Sequence, residues 1–392
     1  MKHTSMPQRS TEECPLCRSC NTEVFLTRSR VPVHQNQVMP DRAAALAVPR
    51  GDLTMAVCNC CGFVHNRTFD LGSLSYDTRY DNNQTYSQCF SIYVDRLARE
   101  LIDDHGVRNC RIVDVGCGNG SFLRRLVTDA RTGNSGWGFD PAYVGPASDL
   151  DGRFQVSRSY YGPECADTLA DVVVCRHVIE HIPDPVALLR TVRSALDKSP
   201  GARVFFETPD VNWILRNHVF WDFFYEHCSL FSAASLTTAF EMAGFHVDRV
   251  RHVFGGQYLW LEATVAETPQ AISYRPAETR RLARSLIGDE EQFLARWKSR
   301  IGAAQRSGAV AVWGAGAKGV TFANLIDQPI DCIVDLNPEK IGHFLPGTGH
   351  PIVSYKDLLA RNIRTAVVMN PNYISENQQM LRREHLQVEL IA

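Results

Sequence analysis

The chain has 392 residues, a formal net charge of -2 and a hydrophobic content of 44%. This length suits two or three domains, and the balanced charge argues against nucleic acid as a partner, because phosphate binding requires a basic surface. No apolar run reaches the roughly 18 residues of a membrane span, and the polar segment from Met1 to Ser10 lacks the apolar core of a signal peptide. We therefore expect a cytoplasmic protein with a small-molecule partner and no membrane contact; the oligomeric state stays open.

Residues 1–80 carry two pairs of cysteines with CxxC spacing and are predicted to form a zinc-binding module. A tight turn aims both thiols of such a pair at one ion, and two pairs complete a tetrahedral shell without an open position, which is typical of a structural site. The predicted ligands are Cys14, Cys17, Cys58 and Cys61. Cys20 and Cys60 are competing ligands, and the alternatives to zinc are unliganded cysteines or a redox pair, although no βαβ pattern surrounds either CxxC.

Residues 81–268 alternate helix-like and strand-like stretches, which is typical of a parallel sheet with crossover helices. Helices are predicted at 91–105 and 121–130, and strands at 111–115, 136–139, 171–175 and 203–206. A charged helical stretch at 269–298 leads to a second alternating unit, with a strand at 309–313, a helix at 320–326 and a strand at 331–334. The sequence thus predicts an α/β protein with a Rossmann-like central domain and a smaller Rossmann-like C-terminal domain over residues 269–392.

A glycine turn from Gly116 to Gly120 follows the first strand of the central domain. Glycines there allow a positive φ and a close approach of the backbone to a ligand. Asp140, at the end of the next strand, is placed to accept hydrogen bonds from both ribose hydroxyls of an adenine nucleoside. A dinucleotide is disfavoured because the spacing differs from GxGxxG and because Asp114 would crowd a pyrophosphate, whereas it suits a cationic donor.

With these motifs the chain resembles the class I S-adenosylmethionine-dependent methyltransferases. The resemblance implies that Gly116 and Gly118 cradle the methionine part of the methyl donor and that Asp140 binds its ribose. The segment 175–182 is similar to the family's fourth strand and the turn beyond it, which faces both donor and acceptor. The predicted donor-binding residues are Asp114, Gly116, Cys117, Gly118, Asn119, Gly120, Asp140, Pro141 and His177.

Two carboxylate–imidazole pairs, Glu180-His181 and Glu226-His227, mark the candidate acceptor side. Histidine suits proton abstraction because its ordinary pKa lies close to neutrality. Tyr225 precedes the second pair within an aromatic stretch that can exclude water. The alternative is that His227 is a hydrogen-bonded core residue.

A second glycine turn, Gly314 to Gly319, lies between a strand and a helix and has the GxGxxG spacing of NAD-binding domains. Asp335 stands at the end of the next strand, where a ribose-binding acid could sit. No neighbouring residue supplies hydride chemistry, so we predict that no nicotinamide is needed and that this turn, with Lys318, frames the substrate and its phosphates. Residues 369–373 form another turn that is expected to face the same cleft, and a purely structural turn is the alternative.

The zinc module, the central domain with Glu226-His227-x-x-x-Phe-Ser and the C-terminal α/β domain together look like the sugar C-methyltransferases, which act on nucleotide-linked 4-keto deoxysugars. The resemblance covers nearly the whole chain. It implies that His227 is the base, supported by Glu226 and a nearby tyrosine, and that Tyr76 or Tyr80 approaches the sugar.

Two positions depart from that family, since Phe224 and Leu230 stand where its members carry tyrosine, and this points to a different acceptor. The leading prediction is C-methylation next to a ketone, on a nucleotide-linked deoxysugar or a related natural-product intermediate. O- or N-methylation of a small molecule is one alternative, and a zinc-module binding protein without catalysis is another. The predicted catalytic residues are His227, Tyr225, Glu226, His181 and Tyr76.

Overall fold

The N-terminal part of the chain is built on an antiparallel sheet. A computed structural model describes residues 13–74, 80, 83–165, 167–199, 201–268, 270–326 and 328–392. The N-terminal elements are β1 (Thr22–Pro32), α1 (Arg42–Leu46), β2 (Arg50–Cys58) and β3 (Val64–Asn66). β1 pairs with β2 and β2 with β3, so the two CxxC segments are brought to one end of the sheet, where Thr22 lies opposite Cys58.

The central part forms an eight-stranded mixed sheet with helices on both sides. Its elements are α2 (Gln88–Asp103), β4 (Arg111–Val115), α3 (Ser121–Val127), β5 (Ser135–Phe139), β6 (Ser148–Asp149), β7 (Phe154–Ser157), β8 (Val172–Arg176), α4 (Pro185–Ala195), β9 (Arg203–Pro209), α5 (Val211–Arg216), β10 (Ser229–Leu230), α6 (Ala233–Met242), β11 (Phe245–Val253) and β12 (Tyr258–Val265). The strand order is β11-β12-β9-β8-β4-β5-β7-β6, with β12 antiparallel to both of its neighbours. All four strands predicted for this part are confirmed, and β4 lies in the middle because its apolar residues are buried on both faces.

The C-terminal part holds a parallel five-stranded sheet in the order β15-β14-β13-β16-β17. Its elements are α7 (Ala277–Ser285), α8 (Asp289–Ala304), β13 (Ala309–Trp313), α9 (Ala317–Leu325), β14 (Cys332–Val334), β15 (Ile352–Val353), β16 (Ile363–Val368), α10 (Ile374–Arg383) and β17 (Glu389–Ile391). The predicted Rossmann-like arrangement is confirmed. α9 begins at Ala317, inside the stretch that was predicted as a turn, so the turn is shorter than expected.

The three parts interlock. β10, from the central part, pairs with β3 and completes the N-terminal sheet. One hydrophobic cluster joins that sheet to α5, α7, α8 and the C-terminal strands, and another joins the cysteine-rich end to the central sheet. Among the described residues, no helix is both long enough and apolar enough to cross a bilayer.

Candidate active site

The glycine turn after β4 has a backbone that only glycine adopts without strain. Gly116, Gly118 and Gly120 have φ values of 70°, 55° and 73°. A Cβ on Gly116 would lie 2.2 Å from Cγ2 of Val178, whereas a Cβ on Gly118 would meet no atom within 4 Å. The turn is therefore packed against the protein at Gly116 and leaves open space beside Gly118.

Asp140 lies at the open side of this turn. Its Oδ2 accepts a hydrogen bond from the backbone N–H of Gly118 at 2.8 Å, and its Oδ1 accepts one from the N–H of Ala142 at 2.8 Å. Burial raises the pKa of Asp140, and these two amides act in the opposite direction. Each carboxylate oxygen retains a lone pair, so the residue fits the ribose hydroxyls of S-adenosylmethionine.

The other residues predicted to bind the methyl donor lie in or beside the same turn. Cys117 is 8% exposed, and its Sγ would lie 2.6 Å from a Cβ on Gly138, so that position also needs glycine. Oδ1 of Asn119 accepts a hydrogen bond from the N–H of Ser121 and orders the start of α3. Pro141 follows Asp140 directly. Asp114 is buried in β4, and burial raises its pKa to about 7 although Arg176 opposes the shift.

His177 follows β8 with an unusual φ of 56° and lies between two buried carboxylates. Its Nδ1 is 3.3 Å from Oε1 of Glu180, and its Nε2 is 3.4 Å from Oε1 of Glu207. Burial alone would lower the pKa of His177, but the two carboxylates outweigh it and raise the pKa to about 9. This imidazole therefore carries a positive charge at neutral pH.

A cavity of about 220 Å³ lies between the carboxyl ends of the central strands and the C-terminal domain. The central part contributes His177, Glu180 and His227 to its lining, and the C-terminal domain contributes the second glycine turn with Lys318. Nitrogen and oxygen atoms of Glu180, His181 and His227 lie within 4.8 Å of one another. The structure thus brings Glu180 and both predicted imidazoles together, whereas Glu226 does not belong to this group.

His227 contributes an imidazole to the lining of this cavity. Its ring centroid lies 4.8 Å from that of His181, with the rings perpendicular, and 4.0 Å from that of Phe224. Nδ1 of His227 is buried and has no hydrogen-bond partner within the described part of the chain. Burial, followed by the charges of His181, His177 and Lys318, holds the pKa of His227 well below its ordinary value. A neutral imidazole with a free nitrogen is the form that accepts a proton.

Glu226 is fully buried and is held by a loop of the N-terminal module. Its Oε1 accepts a hydrogen bond from the N–H of Gln35 at 3.3 Å, and its Oε2 accepts one from Nδ2 of Asn36 at 3.4 Å. Nδ1 of His34 lies 3.7 Å from Oε1. Sequence reasoning missed these three residues, because nothing in a short polar loop indicates contact with a glutamate far along the chain.

The tyrosines occupy different places. The hydroxyl of Tyr225 accepts a hydrogen bond from the backbone N–H of Asp70 at 2.9 Å. Tyr225 is not among the described residues that line the cavity. Tyr76 lies outside the described residues. The hydroxyl of Tyr80 accepts a hydrogen bond from Nδ2 of Asn36 at 3.2 Å. Of the two tyrosines predicted to approach the acceptor, the structure therefore describes only Tyr80, and it lies beside the Glu226 loop.

The second glycine turn resembles the first in its internal bonding. A Cβ on Gly319 would lie 1.8 Å from the carbonyl oxygen of Gly314, so this approach of helix to strand requires glycine. Oδ2 of Asp335 accepts a hydrogen bond from the N–H of Ala315 at 2.7 Å, much as Asp140 binds Gly118. Nζ of Lys318 lies 2.6 Å from Oδ2 of Asp222, so the turn is linked to the central domain by an ion pair.

The four predicted metal ligands form one cluster. Sγ of Cys14 lies 3.6 Å from Sγ of Cys61, and Sγ of Cys17 lies 3.5 Å from Sγ of Cys58. All four sulfur atoms are within 4.8 Å of one another, and neither Cys20 nor Cys60 belongs to the group. A tetrahedron with zinc–sulfur bonds of about 2.3 Å separates its sulfurs by about 3.8 Å, so the donor set and its size fit a zinc ion.

Comparison with known proteins identifies two domain families in the chain. A methyltransferase domain model matches residues 85–250, and a C-methyltransferase C-terminal domain model matches residues 293–387. Among solved structures, the S-adenosylhomocysteine-bound methyltransferase CalO1 of calicheamicin biosynthesis is 21% identical, with a TM-score of 0.34, over 44% of this chain and 54% of that one. A similarity at this level supports no conclusion about activity.

Two curated relatives are methyltransferases. The C-methyltransferase NovU of Streptomyces niveus is 31% identical in an alignment of 235 residues, and the match covers 53% of this chain and 56% of that protein. A ubiquinone biosynthesis O-methyltransferase of Citrobacter koseri is 30% identical in an alignment of 121 residues, and the match covers 28% of this chain and 48% of that protein. The chain thus spans about half the length of the curated relatives that it matches. The chain contains a class I S-adenosylmethionine-dependent methyltransferase domain, which is followed by a C-methyltransferase C-terminal domain.

Proposed function

We propose that the protein is an S-adenosylmethionine-dependent C-methyltransferase that acts next to a ketone, with His227 as the base. The proposal is carried by the buried, unpaired Nδ1 of His227, a residue that lines the cavity together with His177, which is one of the residues predicted on the donor side. O-Methylation of an acidic hydroxyl needs little help from a base, whereas a carbon acid beside a ketone is weak and needs a positioned one. The match of residues 293–387 to a C-methyltransferase C-terminal domain and the similarity to a C-methyltransferase over 53% of the chain support the same choice.

The proposed reaction needs one proton transfer and one methyl transfer. His227 removes the proton from the carbon beside the ketone and becomes positively charged, while the electron pair moves onto the ketone oxygen as an enolate. S-Adenosylmethionine supplies an electrophilic methyl group when bound. The enolate carbon forms the new C–C bond as the C–S bond breaks, so both reactants must lie within about 3–3.5 Å. His227 then returns its proton to solvent.

The proposed donor site is the first glycine turn with Asp140, and the proposed acceptor class is a nucleotide-linked 4-keto deoxysugar or a related intermediate. The C-terminal glycine turn, through its backbone amides, would frame the polar end of that acceptor, since it lines the same cavity. Lys318 contributes charge there although it is also paired with Asp222. The cysteine cluster would hold a structural zinc ion, because four thiolates leave no open coordination position.

The direct test is product analysis with a methyl donor labelled with ¹³C and a panel of nucleotide-linked 4-keto deoxysugars. Two-dimensional NMR of the product distinguishes a new C–CH₃ group, which the proposal expects, from an O–CH₃ or N–CH₃ group, which would contradict it. His227→Asn should lower turnover by about 10²- to 10⁴-fold, with donor affinity nearly unchanged. The matched control is His246→Asn, because His246 is exposed on β11 and remote from the cavity, and it should keep wild-type turnover.

Proton removal can be followed separately from methyl transfer. With S-adenosylhomocysteine bound and an accepted keto sugar in heavy water, the wild type should exchange the hydrogen beside the ketone for deuterium. His227→Asn should not catalyse this exchange. Exchange at the full rate in that variant would assign the base to another residue, with His181 the nearest imidazole.

A further inference from the structure

Asn36 lies where the three parts of the protein meet, and its amide is oriented by its neighbours. It is 4% exposed and belongs to the N-terminal module. Its Nδ2 donates to the hydroxyl of Tyr80 at 3.2 Å and to Oε2 of Glu226 at 3.4 Å. An NH₂ group has two hydrogens, so both of its donor positions are used, and the carboxylate fixes which end of the amide is nitrogen.

The other end of the amide, the oxygen Oδ1, lies beside the second glycine turn. Oδ1 of Asn36 is buried and has no hydrogen-bond partner among the residues that the structure describes. Asn36 lines the cavity that also contains His227, and Oδ1 would lie 3.7 Å from a Cβ placed on Gly316 of the second glycine turn. Gly316 lines the cavity as well, so this oxygen lies in the cavity wall, between the proposed base and the C-terminal domain.

We infer that Asn36 is a specificity-determining residue whose Oδ1 accepts a hydrogen bond from a hydroxyl or amino group of the acceptor molecule. The inference rests on the proposed function, since it places the acceptor in this cavity. A buried carbonyl oxygen without a partner is unfavourable, so a ligand that supplies an O–H or N–H donor is preferred over one that lacks it. The amide of Asn36 also binds Tyr80 and Glu226. Recognition of the hydroxyl or amino group of the acceptor is therefore linked to residues near the proposed base.

The experiment compares acceptors that differ by one polar group. Each keto sugar that the wild type methylates is assayed beside analogues that lack one ring hydroxyl or amino group. For one ring position, the wild type should lose about 10- to 100-fold in kcat/KM without the group, because the buried oxygen then stays unpaired. Asn36→Ala, which removes that oxygen, should lose no more than about threefold at the same position. Equal losses in both proteins at every position would overturn the inference.

Two controls keep the result unambiguous. Asn217→Ala, at an exposed asparagine beyond α5, should retain the discrimination of the wild type. Donor affinity by calorimetry and a thermal melt establish that Asn36→Ala is folded, and Asn36→Ser replaces it if it is not.

A failure of the proposed function is distinguishable from a failure of this inference. If no keto sugar is methylated, the proposed acceptor class is wrong, and the inference is then judged from crystals soaked with 2-hydroxycyclohexanone and, separately, with cyclohexanone. The hydroxyl group should lie within about 3.2 Å of Oδ1 of Asn36. Soaked crystals in which no hydroxyl contacts this oxygen would overturn the inference.

Discussion

The charge state of His177 offers the most quantitative test of the site. Its imidazole lies between Glu180 and Glu207, and its pKa is raised from 6.5 to about 9. A shift of this size corresponds to roughly 3 kcal/mol of preference for the charged form in the folded protein. Because the side chain is only 16% exposed, solvent screens this interaction weakly. Replacing His177 by Gln keeps the approximate size of the side chain and removes the charge.

The sign of the pH effect follows from the raised pKa. A group whose pKa is higher in the folded than in the unfolded state stabilises the fold fully below its unfolded pKa, and that stabilisation is lost as the pH rises through its folded pKa. The difference in unfolding free energy between wild type and His177→Gln should therefore be largest below about pH 6.5. It should shrink by roughly 3 kcal/mol by about pH 10.

Urea denaturation at several pH values measures this difference, and His246→Gln is the matched control because His246 is exposed. NMR of protein labelled with ¹⁵N at histidine reports the charge directly, with the signal of His177 identified as the one absent from His177→Gln. A stability difference that does not change with pH, or an imidazole that titrates near 6.5, would refute the charged state.

Other perturbations test the remaining parts of the site. Asp140→Ala should weaken S-adenosylmethionine binding by about 1–3 kcal/mol through lost ribose hydrogen bonds, and unchanged affinity in calorimetry would exclude the ribose assignment. Gly116→Ala places a Cβ 2.2 Å from a side-chain carbon at a positive φ, so we expect a loss of about 1–3 kcal/mol of stability, measured by urea denaturation. Elemental analysis should find about one zinc ion per chain, reduced by Cys14→Ser or Cys58→Ser; an active, metal-free protein would contradict the zinc proposal. Turnover should be unchanged when NAD is added or removed, and a dependence on NAD would show that the second glycine turn binds a redox cofactor.

Much of the architecture follows from local sequence signals. The central strands can be recognised as short apolar runs, and β4, β5, β8 and β9 lie where those runs occur. The first glycine turn could be predicted because Gly116, Gly118 and Gly120 all have a positive φ, which disfavours other residues. Helix ends are harder to predict from sequence than helices themselves. The helix predicted at 121–130 ends at Val127 and is followed by a separate 3₁₀ turn at Ala130–Thr132.

The acceptor side depends on contacts between distant segments, and the sequence alone could not supply them. Glu226 accepts hydrogen bonds from Gln35 and Asn36, which precede it by 191 and 190 residues. Tyr225, two residues before the proposed base His227, is bonded to Asp70 and is not among the described residues that line the cavity. Neighbouring residues at a turn point in different directions, so adjacency in the sequence does not establish membership of a site.

The strand pairing connects the cysteine cluster with the segment that holds His227, and this suggests what a structural metal ion at the cluster would do. Cys58 ends β2, and the preceding residue, Val57, pairs with Val64 of β3. Val64 in turn pairs with Leu230 of β10, whose strand begins two residues after His227. Three adjacent strands thus connect the cysteine cluster to the segment that holds His227. The rings of Phe63 and Phe231, whose centroids lie 5.0 Å apart, pack against each other at the same junction. A metal ion with four thiolate ligands has no open coordination position for a substrate, but by fixing β2 and β3 it would fix β10 and so the position of the imidazole on which proton removal is proposed to depend.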